Sequence, residues 1–263
     1  MKDIKVTLVQ YDLIWEQREK NYKKLNKIFD QIENHQDIIL LPEMFSTGFT
    51  TNIEDFSENM DGPTVSWLRH QTMKYKSVIA GSFIFDDGSK CYNRLVWMQT
   101  DGKYHVYDKR HLFRFGNEHN YFSSGKQKHV FIVNDFRICP LICYDLRFPV
   151  WAKNTYTTGK FEYDILIYIA NWPEARKHHW EILLKARAIE NLAYVIGLNR
   201  IGEDGRKIKY SGNSMIVNPR GEIIGNFDDY EEGIKTITLS KNELTQYREK
   251  YNVGVDWDNF TIQ

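Results

Sequence analysis

The first part of the chain alternates short apolar runs with one amphipathic segment of helical length. Residues 4–9 and 37–41 are apolar runs of strand length, the second reading D-I-I-L-L. Between them, from Arg18 to Asn34, apolar residues recur at helical spacing, with lysines and acids on the other side. This order of strand, helix and strand predicts a βαβ unit that contains a parallel pair.

Turn sequences separate the apolar runs along the rest of the chain. Residues 44–62 are predicted to form a functional loop, and Pro63 is expected to open a helix that runs to Lys76. Thr100-Asp101-Gly102 predicts a hairpin, as does Asn134-Asp135. Further apolar runs predict strands at residues 77–85, 95–99, 103–107, 138–142, 165–170, 194–198, 215–217, 222–225 and 234–239.

Two more helices and an irregular tail complete the pattern. Residues 177–191 have helical spacing, and Ser240-Lys241-Asn242-Glu243 is a capping box that predicts a last helix. The loop at 109–125 is polar and aromatic, and the tail 252–263 has no regular period. Since no linker or repeat interrupts the chain, residues 1–263 are predicted to form a single domain, a mixed-sheet α/β fold or layered sandwich.

Composition excludes several classes of protein. Lys plus Arg and Asp plus Glu number 35 each, so nothing favours nucleic acid or an anionic membrane as a partner. No apolar run approaches the ~20 residues that span a bilayer. A charged, short N-terminal segment argues against a secretory signal, and three cysteines favour a reducing cytoplasm. Cys139 and Cys143 are spaced too far apart along a strand to share a metal, so we expect no metal site.

Cys143 is the first candidate for chemistry, because it stands where the apolar run 138–142 stops. Pro140 within that run indicates an edge, an end or a bulge of the strand. A cysteine at such a point has its sulfur at the rim of a sheet, where a nucleophile belongs. The alternative is structural, since free cysteine is usually a small buried hydrophobe.

Glu43 and Lys109 also end apolar strands, and Glu118 lies in the loop that follows Lys109. Strand ends of one sheet converge on a shared crevice in α/β folds, which would bring these groups to Cys143. A lysine would favour a thiolate and could bind the oxygen of a tetrahedral intermediate, while a glutamate in a partly dry pocket could move protons. Individually, a salt bridge for Glu43 and a solvated position for Lys109 remain open.

Three motifs resemble those of the nitrilase, or carbon-nitrogen hydrolase, superfamily. They are L-P-E-M-F-S-T-G-F around Glu43, Y-D-K-R-H-L-F around Lys109 and L-I-C-Y-D-L-R-F-P around Cys143. Their order and spacing match over essentially the whole chain. The segments A-N-W-P-E-A-R-K-H-H-W and L-L-K-A-R-A-I-E-N further resemble the ω-amidase, or YafV-like, branch.

The resemblance implies a four-layer αββα sandwich of two mixed sheets flanked by helices, and a homodimer. It implies Cys143 as nucleophile, Glu43 as general base, Lys109 as oxyanion stabiliser and Glu118 as the group that holds the lysine. The backbone N–H of Tyr144 would be the second oxyanion donor. It also implies that no metal or organic cofactor is needed.

The branch resemblance further implies a small amide as substrate. The expected substrate is the terminal amide of a short 2-oxo acid, such as 2-oxoglutaramate or 2-oxosuccinamate. Arg176 is our candidate for its distant carboxylate, and Phe45 and Trp172 for the pocket wall, although an exposed arginine and two core aromatics explain the same residues. Another amidase, a nitrilase or a carbamoyl-amide hydrolase of this superfamily is the alternative enzyme, and a non-catalytic binding dimer is the alternative class.

Overall fold

The computed structural model describes residues 2–33 and 35–262. Within these residues the strands are β1 Ile4–Gln10, β2 Ile38–Leu40, β3 Val78–Asp86, β4 Cys91–Met98, β5 Tyr104–Asp108, β6 Phe131–Val133, β7 Phe136–Ile142, β8 Tyr156–Thr157, β9 Lys160–Phe161, β10 Ile165–Ala170, β11 Tyr194–Asn199, β12 Ile201–Glu203, β13 Lys209–Ser211, β14 Met215–Val217, β15 Ile223–Asn226 and β16 Gly233–Leu239. The helices are α1 Arg18–Phe29, α2 Ile53–Phe56, α3 Pro63–Tyr75, α4 Pro149–Ala152, α5 Lys177–Asn191 and α6 Lys241–Lys250. Short 3₁₀ turns lie at Arg114–Gly116, Glu118–Asn120, Cys143–Arg147, Glu174–Arg176 and Val253–Asp256.

The structure changes several predicted bounds. Helix α1 begins at Arg18 as predicted but ends at Phe29, because the N–H groups of Gln31 and Ile32 bond to carbonyls three positions back instead of four. Asn34, its predicted end, lies outside the described residues. The loop predicted at 44–62 contains the short helix α2, whose first turn is capped by the side chain of Asn52. The hairpins β8–β9 and β12–β13 were not predicted, since strands of two or three residues are too short to show alternation.

Two six-stranded mixed sheets are found among the described residues. The first has the order β16-β1-β2-β3-β4-β5, and the second has the order β15-β14-β11-β10-β7-β6. In the first sheet β1, β2 and β3 are parallel, with Val6 opposite Ile38 and Ile38 opposite Val78. This pairing confirms the predicted βαβ unit. In the second sheet the parallel strands are β7, β10 and β11.

Alternating burial along the strands produces four layers. In the first sheet, Val9 and Ile39 pack with Leu25 of α1 and Leu68 of α3. Residues at the alternate positions of these strands, which include Val6, Leu8 and Leu40, pack instead against the second sheet. Helices α5 and α6 cover the far side of that sheet through Trp180, Leu184, Ala188 and Leu244. Since successive side chains of a strand point to opposite faces, this alternation defines a helix–sheet–sheet–helix order and confirms the αββα sandwich.

Strand direction brings several chain segments to one edge of this sandwich. Strand β4 is antiparallel to both β3 and β5, so β5 runs in the same direction as β2 and β3. Glu43 follows β2 and Lys109 follows β5, while Cys143 and Asn171 follow the parallel strands β7 and β10. The carboxyl ends of the parallel strands therefore meet where a crevice is expected in α/β folds.

Pro140 fits strand β7 for a local reason. Strand β6 pairs only with residues 136–138 of β7, so Pro140 lies two residues beyond that ladder. A proline there removes no hydrogen bond to β6, so of the predicted alternatives, an edge, an end or a bulge, the unpaired edge fits. No helix in the described residues combines the length and apolar character needed to cross a bilayer.

Candidate active site

Glu43 is fully buried and accepts hydrogen bonds on both carboxylate oxygens. Oε1 lies 2.8 Å from Nζ of Lys109 and 2.8 Å from Nδ2 of Asn93. Oε2 accepts from the backbone N–H of Asn171 at 2.8 Å, and the side chain of Asn171 donates to the backbone oxygen of Glu43 at 2.7 Å. The next residue, Met44, has φ +45°. The backbone thus turns sharply just after a carboxylate that three groups hold in place.

Lys109 shares its charge between two carboxylates. Its Nζ lies 3.0 and 2.9 Å from the two oxygens of Glu118, in addition to the contact with Glu43. Burial acts to lower the pKa of Lys109, but the negative charges of Glu118 and Glu43 outweigh this and raise it. Burial raises the pKa of Glu118, with Lys109 opposing the rise. Lys109 therefore remains an ammonium in this site.

Cys143 stands at a strained turn between β7 and a 3₁₀ turn. Its φ is +45°, a left-handed conformation that costs a residue with a Cβ about 1–2 kcal/mol. Its Sγ lies 3.9 Å from the carbonyl oxygen of Asn171. Burial raises the pKa of the Cys143 thiol, the charge of Glu43 raises it further and Lys109 lowers it, with a net rise well above the ordinary value. The resting group is a neutral thiol, whereas the sequence led us to expect that the lysine would favour a thiolate.

Glu43, Lys109 and Cys143 line one cavity of about 260 Å³. This is below the ~300–1,000 Å³ of pockets that hold drug-sized ligands, so the cavity suits a small molecule. Tyr144 also lines it, and the Tyr144 amide belongs to the first turn of the 3₁₀ segment, where N–H groups have no partner within the turn. The structure thus brings together the residues that the three motifs singled out, although they are distant in the chain. Glu118, which is fully buried, joins them through Lys109.

Three arginines give the cavity positive charge. Arg147, Arg176 and Arg206 line it, and Arg147 also lies with its guanidinium 4.9 Å from the ring of Trp172. Burial lowers the pKa of Arg147, and the neighbouring charge of Arg176 lowers it further. Among the described residues, no carboxylate lies within salt-bridge distance of any of the three guanidinium groups. The cavity therefore offers three cations, none of them paired with a carboxylate in the part of the chain that the structure describes.

The candidates for the pocket wall occupy different places. Trp172 lines the cavity, and its indole N–H donates to the backbone oxygen of Arg176 at 2.8 Å. Phe45 is fully buried in the layer between the first sheet and the helices, 5.6 Å from the ring of Trp67. It is not among the described residues that line the cavity. The expectation for Phe45 is therefore corrected: its ring fills the core, because its neighbour Met44 turns the chain away from the crevice.

Sequence reasoning missed Asn93, Asn171 and Arg147. Asn171 directly follows the apolar strand that ends at Ala170, so the signal used for Glu43 could have identified it. Arg147 lies four residues after Cys143 inside a motif used only for the resemblance. Asn93 lies within strand β4, where one buried polar residue gives no comparable signal. In residues 2–33 and 35–262, no group of three or more His, Cys, Asp or Glu side chains is arranged to hold a metal ion.

Comparison with known sequences identifies related enzymes. The carbon-nitrogen hydrolase family model matches residues 5–249. The chain is 39% identical over 262 residues to the omega-amidase YafV of Escherichia coli K12, and the match covers 100% of both chains. It is 31% identical over 254 residues to the 2-oxoglutaramate amidase of Bacillus subtilis 168, which covers 95% of this chain and 96% of the relative.

Solved structures agree with the fold. XC1258 from Xanthomonas campestris, described as a CN-hydrolase superfamily protein with an arsenic adduct in its active site, superimposes with a TM-score of 0.97. It is 36% identical in sequence, and the match covers 100% of both chains. Nit3 of Saccharomyces cerevisiae, a member of branch 10 of the nitrilase superfamily, gives 0.81 at 23% identity over 96% of this chain and 95% of its own. The second match supports the fold alone.

Proposed function

This chain belongs to the carbon-nitrogen hydrolase family, and we propose that it hydrolyses the terminal amide of a short 2-oxo dicarboxylic acid monoamide, of the 2-oxoglutaramate or 2-oxosuccinamate type. The observation that carries the proposal is that Lys109, in buried contact with Glu43 and Glu118, lines the same small cavity as Glu43 and Cys143. The similarity to an omega-amidase and to a 2-oxoglutaramate amidase supports this substrate class.

Acylation begins from the neutral thiol. As the Cys143 sulfur forms a bond to the amide carbon, Glu43 takes the thiol proton and the carbonyl π electrons move to oxygen. The oxyanion is stabilised by the Lys109 ammonium and the Tyr144 N–H. Preorganised donors in a site without water are effective because they need no reorientation during the reaction, and losing one slows turnover by about 10²–10³-fold.

The same carboxyl group then serves the leaving amine. Glu43 returns its proton to the amide nitrogen, the C–N bond breaks, and ammonia leaves while the acyl group remains on sulfur as a thioester. Glu43 next accepts a proton from water as the water oxygen attacks the thioester carbon. The C–S bond breaks, the thiol regains its proton, and the dicarboxylic acid leaves. No metal or organic cofactor takes part in these steps.

Glu118 has a separate role in this scheme. Its carboxylate accepts from the backbone N–H of Phe113 and from Nζ of Lys109. It therefore compensates the ammonium when Glu43 becomes a neutral carboxylic acid during acylation. Without a second anion, protonating Glu43 would leave a buried, unpaired cation, which costs several kcal/mol.

The substrate carboxylate is assigned to Arg147 and Arg176, two of the three arginines that line the cavity. Arg147 and Arg176 present planar guanidinium groups, which bind carboxylates through paired N–H donors. Arg147 donates to Nδ1 of His179 at 2.9 Å, which orients the guanidinium without cancelling its charge. A substrate with a reactive amide at one end and a carboxylate at the other would match both features of the cavity.

We propose a homodimer for this chain, which would pair through helix α5. Ile182 and Ile189 are 50% and 51% exposed on this helix. Residues seven positions apart lie on the same side of a helix, so these two form an apolar stripe. A second copy covering the stripe would remove it from water.

Ammonia release from 2-oxoglutaramate tests the proposed activity. Wild type should release ammonia and show a mass increase on Cys143 after rapid acid quenching, whereas Cys143→Ala should do neither. A panel of a nitrile, a carbamoyl amide and a neutral aliphatic amide separates the other enzymes of the family. Absence of any covalent species with every amide would reject the enzymatic proposal in favour of a binding dimer.

A further inference from the structure

Asp145 is a fully buried carboxylate that accepts four hydrogen bonds. Oδ1 accepts from the backbone N–H of His111 at 3.0 Å and from its ring Nδ1 at 2.8 Å. Oδ2 accepts from the Tyr107 hydroxyl at 2.7 Å and from the backbone N–H of Ile142 at 3.1 Å. A buried anion with this many donors is fixed in position as well as stabilised.

These donors come from the two segments that carry the reactive groups. Tyr107 and His111 lie two residues before and two residues after Lys109. Ile142 directly precedes Cys143, and Asp145 itself belongs to the 3₁₀ turn that Cys143 begins. The Asp145 carboxylate therefore accepts hydrogen bonds from residues on both sides of Lys109 and from the strand end that leads into Cys143.

The strand ladders do not set the distance between these segments. Lys109 follows β5 in the first sheet, and Cys143 follows β7 in the second. Pairing within a sheet fixes register only among its own strands, so side chains must align one sheet edge with the other. Asp145 links the two sheet edges in this way. Its side chain and those of Tyr107 and Ile142 are fully buried, and only the imidazole of His111 is partly exposed.

The donors around Asp145 are themselves held in place. Burial raises the pKa of Tyr107, and the charge of Asp145 adds to the rise, so its hydroxyl remains a donor. The indole N–H of Trp151 donates to the same hydroxyl oxygen at 3.0 Å, which directs the hydroxyl hydrogen toward Asp145. The imidazole of His111 stacks on Phe148 with ring centres 3.7 Å apart.

We propose that Asp145 is a positioning residue that fixes the Lys109 ammonium relative to the Cys143 sulfur across the two sheets. The inference rests on the roles of these two groups in the proposed function. Asp145 does not contact the substrate in this view; it acts by keeping the oxyanion donor and the nucleophile in register. Small displacements of reacting groups, of about 1 Å, can cost about 10²-fold in rate.

The test is Asp145→Asn, which conserves shape but replaces one acceptor oxygen with a donor. Either orientation of the new amide points N–H groups at two existing donors. We expect kcat for 2-oxoglutaramate to fall by about 10²-fold while KM changes less than about threefold. The pH profile of Cys143 alkylation by iodoacetamide, followed by peptide mass spectrometry, should shift upward, because a displaced ammonium favours the thiolate less.

Asp164→Asn is the matched control. Asp164 is also buried and accepts from several donors, which include Arg248 at 2.6 Å and the backbone N–H of Arg137 at 3.0 Å, but it precedes β10 at the end opposite to Ala170. The Asp164→Asn variant should be less stable than wild type, with kcat and the pH profile of Cys143 alkylation unchanged. If Asp145→Asn does not fold, Tyr107→Phe removes one of the four bonds and should shift the alkylation profile in the same direction.

An unshifted alkylation profile together with a kcat within twofold of wild type, in whichever of these two variants folds, would overturn the inference. The alkylation measurement requires no amide substrate. If wild type failed to release ammonia from 2-oxoglutaramate, the substrate proposal would be rejected while the alkylation profile still decided the role of Asp145.

Discussion

Nζ of Lys109 lies 2.8 Å from Oε1 of Glu43, and neither side chain is exposed to solvent. Lys109→Met keeps an unbranched chain but leaves Glu43 and Glu118 buried without a cation. We expect the free energy of unfolding to fall by about 3–5 kcal/mol, since breaking a buried ion pair leaves an uncompensated charge. We expect kcat to fall by at least about 10²-fold through loss of an oxyanion donor. Urea unfolding and steady-state ammonia release measure the two effects.

Lys128→Met provides the control for this variant. Lys128 lies 2.7 Å from Glu162, but its side chain is 17% exposed and does not line the cavity. Such a partly solvated pair contributes about 0–1 kcal/mol, so stability should change little and kcat should not change. Equal losses of stability in the two lysine variants would contradict the importance of the buried cluster.

The two glutamates should have separable effects. Glu43→Gln removes the proton acceptor, so kcat should fall by about 10²–10⁴-fold and no thioester should accumulate. Glu118→Gln keeps that acceptor and weakens only the compensation of Lys109, so a thioester should still form, more slowly than in wild type. Rapid-quench mass spectrometry distinguishes the variants, and a thioester in Glu43→Gln would argue against its assigned role.

Because Arg147 and Arg176 line the cavity, we expect the enzyme to prefer amide substrates that carry a negative charge. Arg147→Met and Arg176→Met should each raise KM for 2-oxoglutaramate by about 10–100-fold, the effect of losing a hydrogen bond to a charged group. Turnover of a neutral aliphatic amide of similar length should change little. Arg220→Met is the control, because Arg220 lies against the ring of Tyr247 rather than in the cavity. Proportional losses on both substrates would indicate a structural role instead.

Acid should weaken the docking of helix α6 through Asp164. Burial alone would raise the pKa of this carboxyl, but Arg248 and Lys241 outweigh burial and hold it below 3.8. The unfolded chain therefore binds the proton more readily, so the stabilising contribution is present above pH 3.8 and is lost as pH falls through the folded-state pKa. Urea unfolding from about pH 2 to about pH 5 should show this loss in wild type and much less of it in Asp164→Asn.

The proposed dimer depends on the apolar stripe of α5. Ile182→Lys combined with Ile189→Lys should produce monomers in light scattering coupled to size exclusion, because the lysines would bury charge at the interface. Ile132→Lys is the control, since Ile132 is 69% exposed on strand β6 at another part of the surface. A double variant that keeps the mass of wild type would exclude this helix as the interface.

Much of the fold could be predicted from periodicity alone. The parallel pair of β1 and β2 and the start of helix α3 at Pro63 follow from local patterns that the tertiary structure retains. The end of α1 could not be predicted, because residues beyond Phe29 keep helical spacing although their hydrogen bonds tighten. The hairpins β8–β9 and β12–β13 depend on contacts rather than on a local pattern.

The candidate site was predictable where chemistry coincides with a strand end. Glu43, Lys109 and Cys143 share that signal, and the fold brings them to one cavity. Arg147 and Asp145 lie within the same motif as Cys143, yet their importance appears only through partners far away in sequence. Phe45 shows the converse limit, since an aromatic residue beside Glu43 was expected in the pocket and lies in the core.

The left-handed backbone at Met44 and Cys143 sets thermal stability against catalytic turnover. Glycine adopts this conformation without strain, so Cys143→Gly would regain the about 1–2 kcal/mol that the left-handed backbone costs, offset by the lost packing of the buried sulfur and the greater freedom of glycine in the unfolded chain. Selection for heat resistance alone would thus give little protection to the sulfur. Laboratory evolution of this hydrolase toward robustness must therefore be coupled to an activity assay.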